Sequence, residues 1–309
     1  MIATPPVLPL SLVELAGIDG LELRSSVLAD GFLAGLHRSE KPGSSPDFRE
    51  FRPFTAGDAT RGIDWRASAR CDRLLVRLRE NETNLKARIF LDSSRSMAFK
   101  SDSALFSKWD YARLLTAAIG TVLQKQQDSP GLDIIGARLD AQFPSSSRRT
   151  ALNRMIAGLE RAAIGDVSAL PQYLTEFAMR GELRHGIAVV ISDFYASPEK
   201  LGEAAALLAA ADNDVIFLQV LDRAETEIEY TRQTLLSELE GNKRLNVNPD
   251  LDRAGFQRIV GDHLHALDNQ LTRCGGQWAL CRTDEPPMRS LELVFSVRQA
   301  RLSGHGGRR

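Results

Sequence analysis

Several features that mark other classes of protein are scarce or absent in this sequence. Its 309 residues contain three cysteines, Cys71, Cys274 and Cys281, and no C-x-x-C pair. An odd number at these spacings argues against a zinc site or a disulfide framework, and agrees with a reducing cytoplasm. No apolar run approaches the roughly 18 residues that a transmembrane helix needs. Residues 1–15 have no basic region and carry several prolines, so we predict no signal peptide.

Charge of one sign is also lacking. The net charge of −1 gives no global field that would attract nucleic acid or an anionic membrane. The sequence has neither a G-x-S-x-G nucleophile elbow nor a glycine-rich phosphate loop, which removes two common classes of enzyme. We therefore expect a cytoplasmic protein that binds no nucleic acid and does not insert directly into a membrane.

From residue 85 onward, short apolar segments alternate with amphipathic ones. The predicted strands are 87–91, 132–137, 187–191, 215–221 and 278–281. The predicted helices are 109–125, 150–161, 169–179, 199–211 and 252–273. This alternation predicts an α/β fold with a doubly wound, mostly parallel sheet that helices cover on both faces. Ligands of such sheets bind outside the carboxyl ends of the strands.

The change of pattern along the chain predicts four parts. Residues 1–38 read as an N-terminal helical segment, and residues 39–84 as a small arginine-rich β subdomain that begins in a Gly/Ser/Pro-rich loop. Residues 85–302 form the doubly wound domain. Residues 303–309 read as a flexible tail.

Polar side chains follow two of the predicted strands. Asp92, Ser94 and Ser96 come after the first strand, and Asp193 comes after the strand 187–191. Alternate positions of a loop can turn to one side and converge on one ion. Carboxylate and hydroxyl oxygens are hard ligands that suit a small cation such as Mg²⁺. These four residues are therefore predicted to hold Mg²⁺ or Mn²⁺.

A third loop is expected to complete the ligand set. The best candidate is Ser168, which precedes the predicted helix 169–179. One coordination position would stay open for an Asp or Glu of a partner, and nearby helix N-termini would favour that anion. The alternative is that Ser94, Ser96 and Asp193 only cap helices. The residues alone leave both interpretations open.

A segment dense in arginine precedes the doubly wound domain. Its arginines are Arg49, Arg52, Arg61, Arg66, Arg70, Arg73, Arg77 and Arg79. Interleaved acids and the lack of an aromatic platform argue against a nucleic-acid surface. A structural network is favoured, in which arginines pair with Asp58 or Asp64 and Trp65 packs beneath them. An interaction surface is the remaining interpretation.

The arginine-rich segment and the strand-end acids together resemble a known bacterial family, domain of unknown function 58. The signature residues are Arg52, Gly57, Asp58, Arg61, Asp64, Trp65 and Arg70, followed by Asp92, Ser94 and Ser96. Residues 108–112 and 191–194 also match its pattern, and the resemblance extends from about residue 35 to 291. It implies an arginine-rich signature joined to a von Willebrand factor type A-like domain. Ser168 stands where type A domains usually have threonine.

The resemblance also implies a partner. Members of this family are usually encoded beside MoxR-type AAA+ ATPases, so we expect a non-enzymatic, metal-dependent adaptor. It would help such an ATPase in the chaperone-like assembly or maturation of an unknown client, which docks through an acidic side chain. Two alternatives stay open. One is an Mg-dependent phosphatase or phosphotransfer enzyme with Asp92 as nucleophile. The other is a structural scaffold with a degenerate metal site.

Overall fold

A computed structural model describes residues 11–39, 51–55, 63, 65–71, 73–77, 85–227, 234–237, 244–247 and 249–305. Within it the chain divides into two compact units. The larger unit consists of Met1–Leu33 and Asn84–Arg309, and the smaller of Ala34–Thr83. The larger unit contains every residue predicted to hold a metal.

The larger unit is built on a six-stranded sheet. In chain order its strands are β3 (Lys86–Asp92), β4 (Ser129–Ile135), β5 (Leu139–Phe143), β6 (Ile187–Ser192), β7 (Asp214–Leu221) and β10 (Gly276–Arg282). Their order across the sheet is β10-β7-β6-β3-β4-β5. All neighbouring pairs are parallel except β4 and β5. The predicted doubly wound, mostly parallel sheet is confirmed.

Helices cover both faces of this sheet. In chain order they are α4 (Lys108–Lys125), α5 (Arg149–Arg161), α6 (Leu170–Arg180), α7 (Pro198–Ala210), α8 (Arg223–Thr226), α9 (Pro249–Arg273) and α10 (Met288–His305). Helices α6, α7 and α9 bury apolar residues against one face, where Phe90 and Phe217 lie. Helices α4, α5 and α10 pack on the other side. Among the helices that the structure describes, none combines the length and apolar character of a membrane span.

Strand β5 was not predicted. Its residues LDAQF alternate between apolar and polar, but over only five positions, and both Asp140 and Gln142 are exposed. It forms because the chain reverses after β4 and pairs antiparallel with it. Helix α10 runs through His305, so the predicted tail from residue 303 is helical where it is described. One glycine, Gly304, costs a helix only about 1 kcal/mol, which explains why it does not end the helix there.

The apolar pattern of β3 is interrupted by Arg88, which is nevertheless buried. Its Nε donates a 2.9 Å hydrogen bond to Asp133 on β4, and a second guanidinium nitrogen pairs with the same carboxylate. The hydroxyl of Tyr173 donates to Asp133 at 3.1 Å, and Arg88 also donates to the carbonyl of Phe143. Buried charges are tolerated in this way when they are paired and hydrogen-bonded.

The remaining elements include two N-terminal helices and a hairpin. The N-terminal helices are α1 (Leu12–Ala16) and α2 (Leu21–Ser39). Within the larger unit, Phe32 of α2 packs edge-on against Phe295 of α10, with ring centroids 5.8 Å apart. A hairpin of β8 (Thr234–Ser237) and β9 (Arg244–Val247) precedes α9.

The smaller unit contains an antiparallel pair of strands and a helix. These are β1 (Phe51–Pro53), α3 (Trp65–Cys71) and β2 (Leu75–Arg77). The side chain of Trp65 is 66% exposed, so it does not pack beneath an ion-pair network as predicted. Arg70 is also exposed. Gly57, Asp58, Arg61, Asp64 and the side chain of Arg52 lie outside the described residues.

Candidate metal site

The predicted site lies at the carboxyl edge of the two central strands. Asp92 is the last residue of β3, and Asp193 directly follows Ser192, the last residue of β6. These strands are parallel neighbours, with Leu91 paired to Ile191. Their ends therefore meet at one edge of the sheet. Asp92 and Asp193 are each only 2% exposed.

Asp92 is the centre of a hydrogen-bond cluster. Its Oδ2 accepts hydrogen bonds from the hydroxyl of Ser192 at 2.6 Å and from the hydroxyl of Ser168 at 3.0 Å. Its Oδ1 accepts the backbone N–H of Ser94 at 2.9 Å. Three segments that are distant in sequence therefore converge on one carboxylate.

The loop after β3 turns alternate hydroxyls to one side, as predicted. The Oγ atoms of Ser94 and Ser96 are 3.1 Å apart and buried, whereas the hydroxyl of Ser93 donates to Asp140. Ser94 precedes a short 3₁₀ helix, Arg95–Ala98, but its side chain makes no capping hydrogen bond. The capping interpretation therefore does not explain Ser94.

The capping interpretation does not explain Asp193 either. The next helix, α7, begins five residues later and has Ser197 at its N-cap position. The backbone carbonyl of Asp193 accepts a 2.8 Å hydrogen bond from the buried side chain of Gln219 on β7. This contact holds the end of β6 in place, and with it the Asp193 side chain.

Ser168 reaches the cluster because its loop is tied to the strand ends. The N–H of Gly165 donates to the carbonyl of Ser93 at 2.7 Å, and the N–H of Ala169 donates to the carbonyl of Gly136 at 2.8 Å. The Ser168 hydroxyl also accepts the N–H of Leu170 at 3.3 Å. It thus contributes to the start of α6 and contacts Asp92 at the same time.

Lys108 is a site residue that the sequence interpretation missed. It is the first residue of α4 and is fully buried. Its Nζ donates to Asp193 Oδ2 at 2.8 Å and to Glu225 Oε1 at 2.7 Å. The half-exposed Tyr195 donates to the same Glu225 oxygen at 2.9 Å. A lysine at the first position of a helix opposes the helix dipole, and this is the signal that could have identified it.

The charges of the site shift one another's pKa values. Burial, followed by the negative charge of Asp193, raises the pKa of Asp92 to about 6. Burial alone would lower the pKa of Lys108, but Asp193 and Glu225 outweigh that effect and raise it. Burial raises the pKa of Glu225, against the opposing effect of Lys108. The three carboxylates and the ammonium therefore form one electrostatic group.

The donor set fits a small divalent cation. Asp92 supplies a buried carboxylate, and Ser94, Ser96 and Ser168 supply neutral hydroxyl oxygens beside it. Such oxygens suit Mg²⁺ and Mn²⁺. Within the described residues, no three His, Cys, Asp or Glu side chains group into a site made of those ligands alone. Asp193 is adjacent, but its Oδ2 is occupied by Lys108.

The fold and the strand-end cluster define a doubly wound α/β protein with a candidate metal site of one buried carboxylate and several hydroxyls. The sequence signature of the family described as "Protein of unknown function DUF58" matches residues 50–266. The chain therefore belongs to that family. It is 27% identical over 296 residues to "Uncharacterized protein Rv1480" of Mycobacterium tuberculosis, covering 94% of this chain and 92% of the relative.

Several solved structures are similar in fold. BatB from Bacteroides thetaiotaomicron has a TM-score of 0.47 and 16% identity, over 69% of this chain and 97% of its own. The SpRpn10 VWA domain has a TM-score of 0.41 and 8% identity, over 68% and 94%. A von Willebrand factor type A protein from Catenulispora acidiphila has a TM-score of 0.35 and 13% identity, over 74% and 43%.

Proposed function

We propose that this protein is a non-enzymatic adaptor that binds another protein through a divalent cation, Mg²⁺ or Mn²⁺. Asp92, Ser94, Ser96 and Ser168 would hold the ion. The observation that carries the proposal is the hydrogen bond from Ser168 to Asp92, because it adds a third loop to the two strand ends. A site of one carboxylate and three hydroxyls leaves one of the two positive charges of the ion uncompensated by its direct ligands.

The bound ion would offer an open, positively charged coordination position to a carboxylate of the partner. Burial and the negative charge of Asp193 raise the free energy of the ionised Asp92 carboxylate when no cation is beside it. A cation bound there would lower that free energy. The chain's own residues orient the site: Ser192 and the N–H of Ser94 hold the Asp92 carboxylate in one position. An acidic side chain of a client protein is therefore the chemistry that this site would recognise.

The partner that we propose is a MoxR-type AAA+ ATPase. Two points support this partner. The chain belongs to the DUF58 family, and members of that family are usually encoded beside such ATPases. In this arrangement the ATPase would act as the motor, and the present protein would present the client. The cytoplasm is the proposed location, since such an ATPase and its ATP are found there.

Calorimetric titration with Mg²⁺ and with Mn²⁺ tests the metal site directly. The wild type is expected to bind one ion saturably, and Asp92→Ala is expected to lose that binding. The exposed Glu182→Gln is a matched control, because Glu182 lies past the C-terminal end of α6 and pairs with Arg180. Wild-type protein that takes up neither ion would overturn the proposal.

A pull-down with the cognate ATPase then tests the adaptor role. Capture is expected in Mg²⁺, and is expected to fall when EDTA is added or when Asp92 is replaced. Capture that ignores both treatments would favour the structural scaffold. A phosphatase screen on the same metal-loaded protein tests the enzymatic alternative, and Asp92-dependent turnover would favour it.

A further inference from the structure

The buried lysine beside the candidate metal site is the feature that the proposed function does not use. Lys108 has no exposed side-chain surface, and each of its two nearest acceptors is a carboxylate oxygen within 2.8 Å. The rings of Tyr195 and Phe99 lie 4.9 and 5.9 Å from its Nζ. An ammonium group so enclosed is a fixed positive charge.

A fixed positive charge at this place works against a bound cation. It also lies at the N-terminal end of α4, where the helix dipole disfavours a cation. Removal of an ion from water is costly, and a buried ammonium persists only where acids compensate for it. Asp193 and Glu225 provide that compensation. The positive charge of Lys108 and the negative charge of Glu225 therefore cancel within the site.

The charges of the coupled group can be counted. Asp92, Asp193 and Glu225 are three buried or nearly buried carboxylates, and Lys108 is the one ammonium among them. Three negative charges and one positive charge give the group a net charge of −2. One divalent cation balances that charge. The nearby Asp222 is left out of the count because the shortest hydrogen bonds described for its carboxylate come from Ser101 and the backbone of α8, whereas Lys108 pairs with Asp193 and Glu225.

We propose that Lys108 determines the charge of the metal site, so that the site is electrically neutral once it holds one divalent cation. This inference rests on the proposed metal-dependent function. Without Lys108 the loaded site would keep one negative charge and would repel an incoming carboxylate. With it, the loaded site accepts an acidic side chain at no such electrostatic cost, and Asp193 stays bound to the protein's own ammonium.

Two charge variants test the inference, with Mn²⁺ alone as the probe at pH 8. Glu225→Gln removes one negative charge but keeps an oxygen that can accept from Lys108. It is expected to weaken Mn²⁺ binding at least about tenfold, because a buried charge near a divalent cation is poorly screened. The double variant Lys108→Met with Glu225→Gln restores the net charge. Its affinity is expected to return to within about threefold of wild type.

The matched control is Glu227→Gln. Glu227 lies two residues away, is 39% exposed and pairs with Arg223 and Arg282 at the surface. Its charge is screened by solvent, so its removal is expected to leave Mn²⁺ affinity unchanged. Thermal melting of each variant establishes that it is folded before the titration.

The order of the affinities separates a charge role from a structural one. If Lys108 only holds the fold together, the double variant removes more contacts and binds no better than Glu225→Gln. That order would overturn the inference and leave the metal site standing. Should the double variant not fold, Glu225→Gln decides alone, and an affinity equal to wild type would overturn the inference. If wild-type protein binds no Mn²⁺, the proposed function fails as well.

Discussion

The hydroxyl of Ser168 donates a 3.0 Å hydrogen bond to Asp92, although 76 residues separate the two in sequence. The contact joins the loop before α6 to the end of β3. Among the predicted metal ligands, Ser168 is the one that comes from a third loop, which has to fold back onto the strand ends. The proposed role of this contact in metal binding is open to a direct test.

Replacement of Ser168 by alanine removes one proposed neutral ligand and leaves the carboxylate in place. We expect Mg²⁺ and Mn²⁺ affinity to fall at least about tenfold, the loss that follows removal of even an outer-shell partner of a metal. Calorimetry measures the change. Ser197→Ala is a suitable control, since Ser197 is outside the site and bonds only to Glu199 among the contacts described for its side chain. Equal affinities for wild type and Ser168→Ala would remove Ser168 from the ligand set.

The raised pKa of Asp92 predicts a pH dependence of stability in metal-free protein. The pKa is about 6 when folded, against 3.8 for an unperturbed aspartate, so the folded state binds the proton more tightly. This stabilisation is fully present below the unfolded pKa and is lost as the pH rises through 6. Between pH 5 and pH 8 the wild type should lose about 1 kcal/mol that Asp92→Asn does not lose. Urea unfolding in EDTA at both pH values measures the difference. Parallel losses in the two proteins would contradict it.

The buried pair of Arg88 and Asp133 predicts a large stability effect. Arg88→Met leaves the Asp133 carboxylate buried with Tyr173 as its remaining side-chain donor. We expect the free energy of unfolding to fall by about 3–5 kcal/mol, because an unpaired buried charge is costly. Arg180→Met breaks an exposed pair with Glu182 and should cost no more than about 1 kcal/mol. Chemical denaturation compares the two variants. Similar losses would mean that Asp133 is protonated or solvated.

The three cysteines are expected to react with iodoacetamide in an order set by their surroundings. Cys71 is exposed, Cys274 is partly buried and Cys281 is buried. Burial raises the pKa of Cys281 to about 12, which leaves almost no thiolate at pH 8. Mass spectrometry of the native protein should find Cys71 labelled first and Cys281 labelled only after denaturation. Rapid native labelling of Cys281 would show that β10 opens locally.

The sheet could be predicted because its strands are short and apolar and alternate with helices. Strands β3, β6 and β7 are buried along almost their whole length, so their composition alone identifies them. The position of Asp92 and Asp193 at one edge then follows from parallel pairing. That these residues bind a metal stays a prediction.

Other features depend on tertiary contacts that no local pattern contains. Strand β5 alternates between apolar and polar residues over only five positions, too short a run to establish a strand without its pairing with β4. Apart from its unfavourable place at a helix N-terminus, Lys108 looks like an ordinary surface residue at the start of an amphipathic helix. Its burial follows only when Asp193 and Glu225, which are 85 and 117 residues away, reach its side chain. Trp65 was expected to be covered, but nothing in its local sequence specifies a cover.

The backbone after β6 is held in an uncommon conformation. Phe194 has a φ of 53°, in the left-handed region that bulky residues rarely adopt, and its ring is buried against Phe217. Its N–H donates to the hydroxyl of Ser192, and the carbonyl of Asp193 is held by Gln219. The segment has thus lost its conformational freedom during folding. A ligand that binds beside Asp193 therefore incurs little additional ordering entropy from this loop, and such preorganisation raises affinity without any new contact.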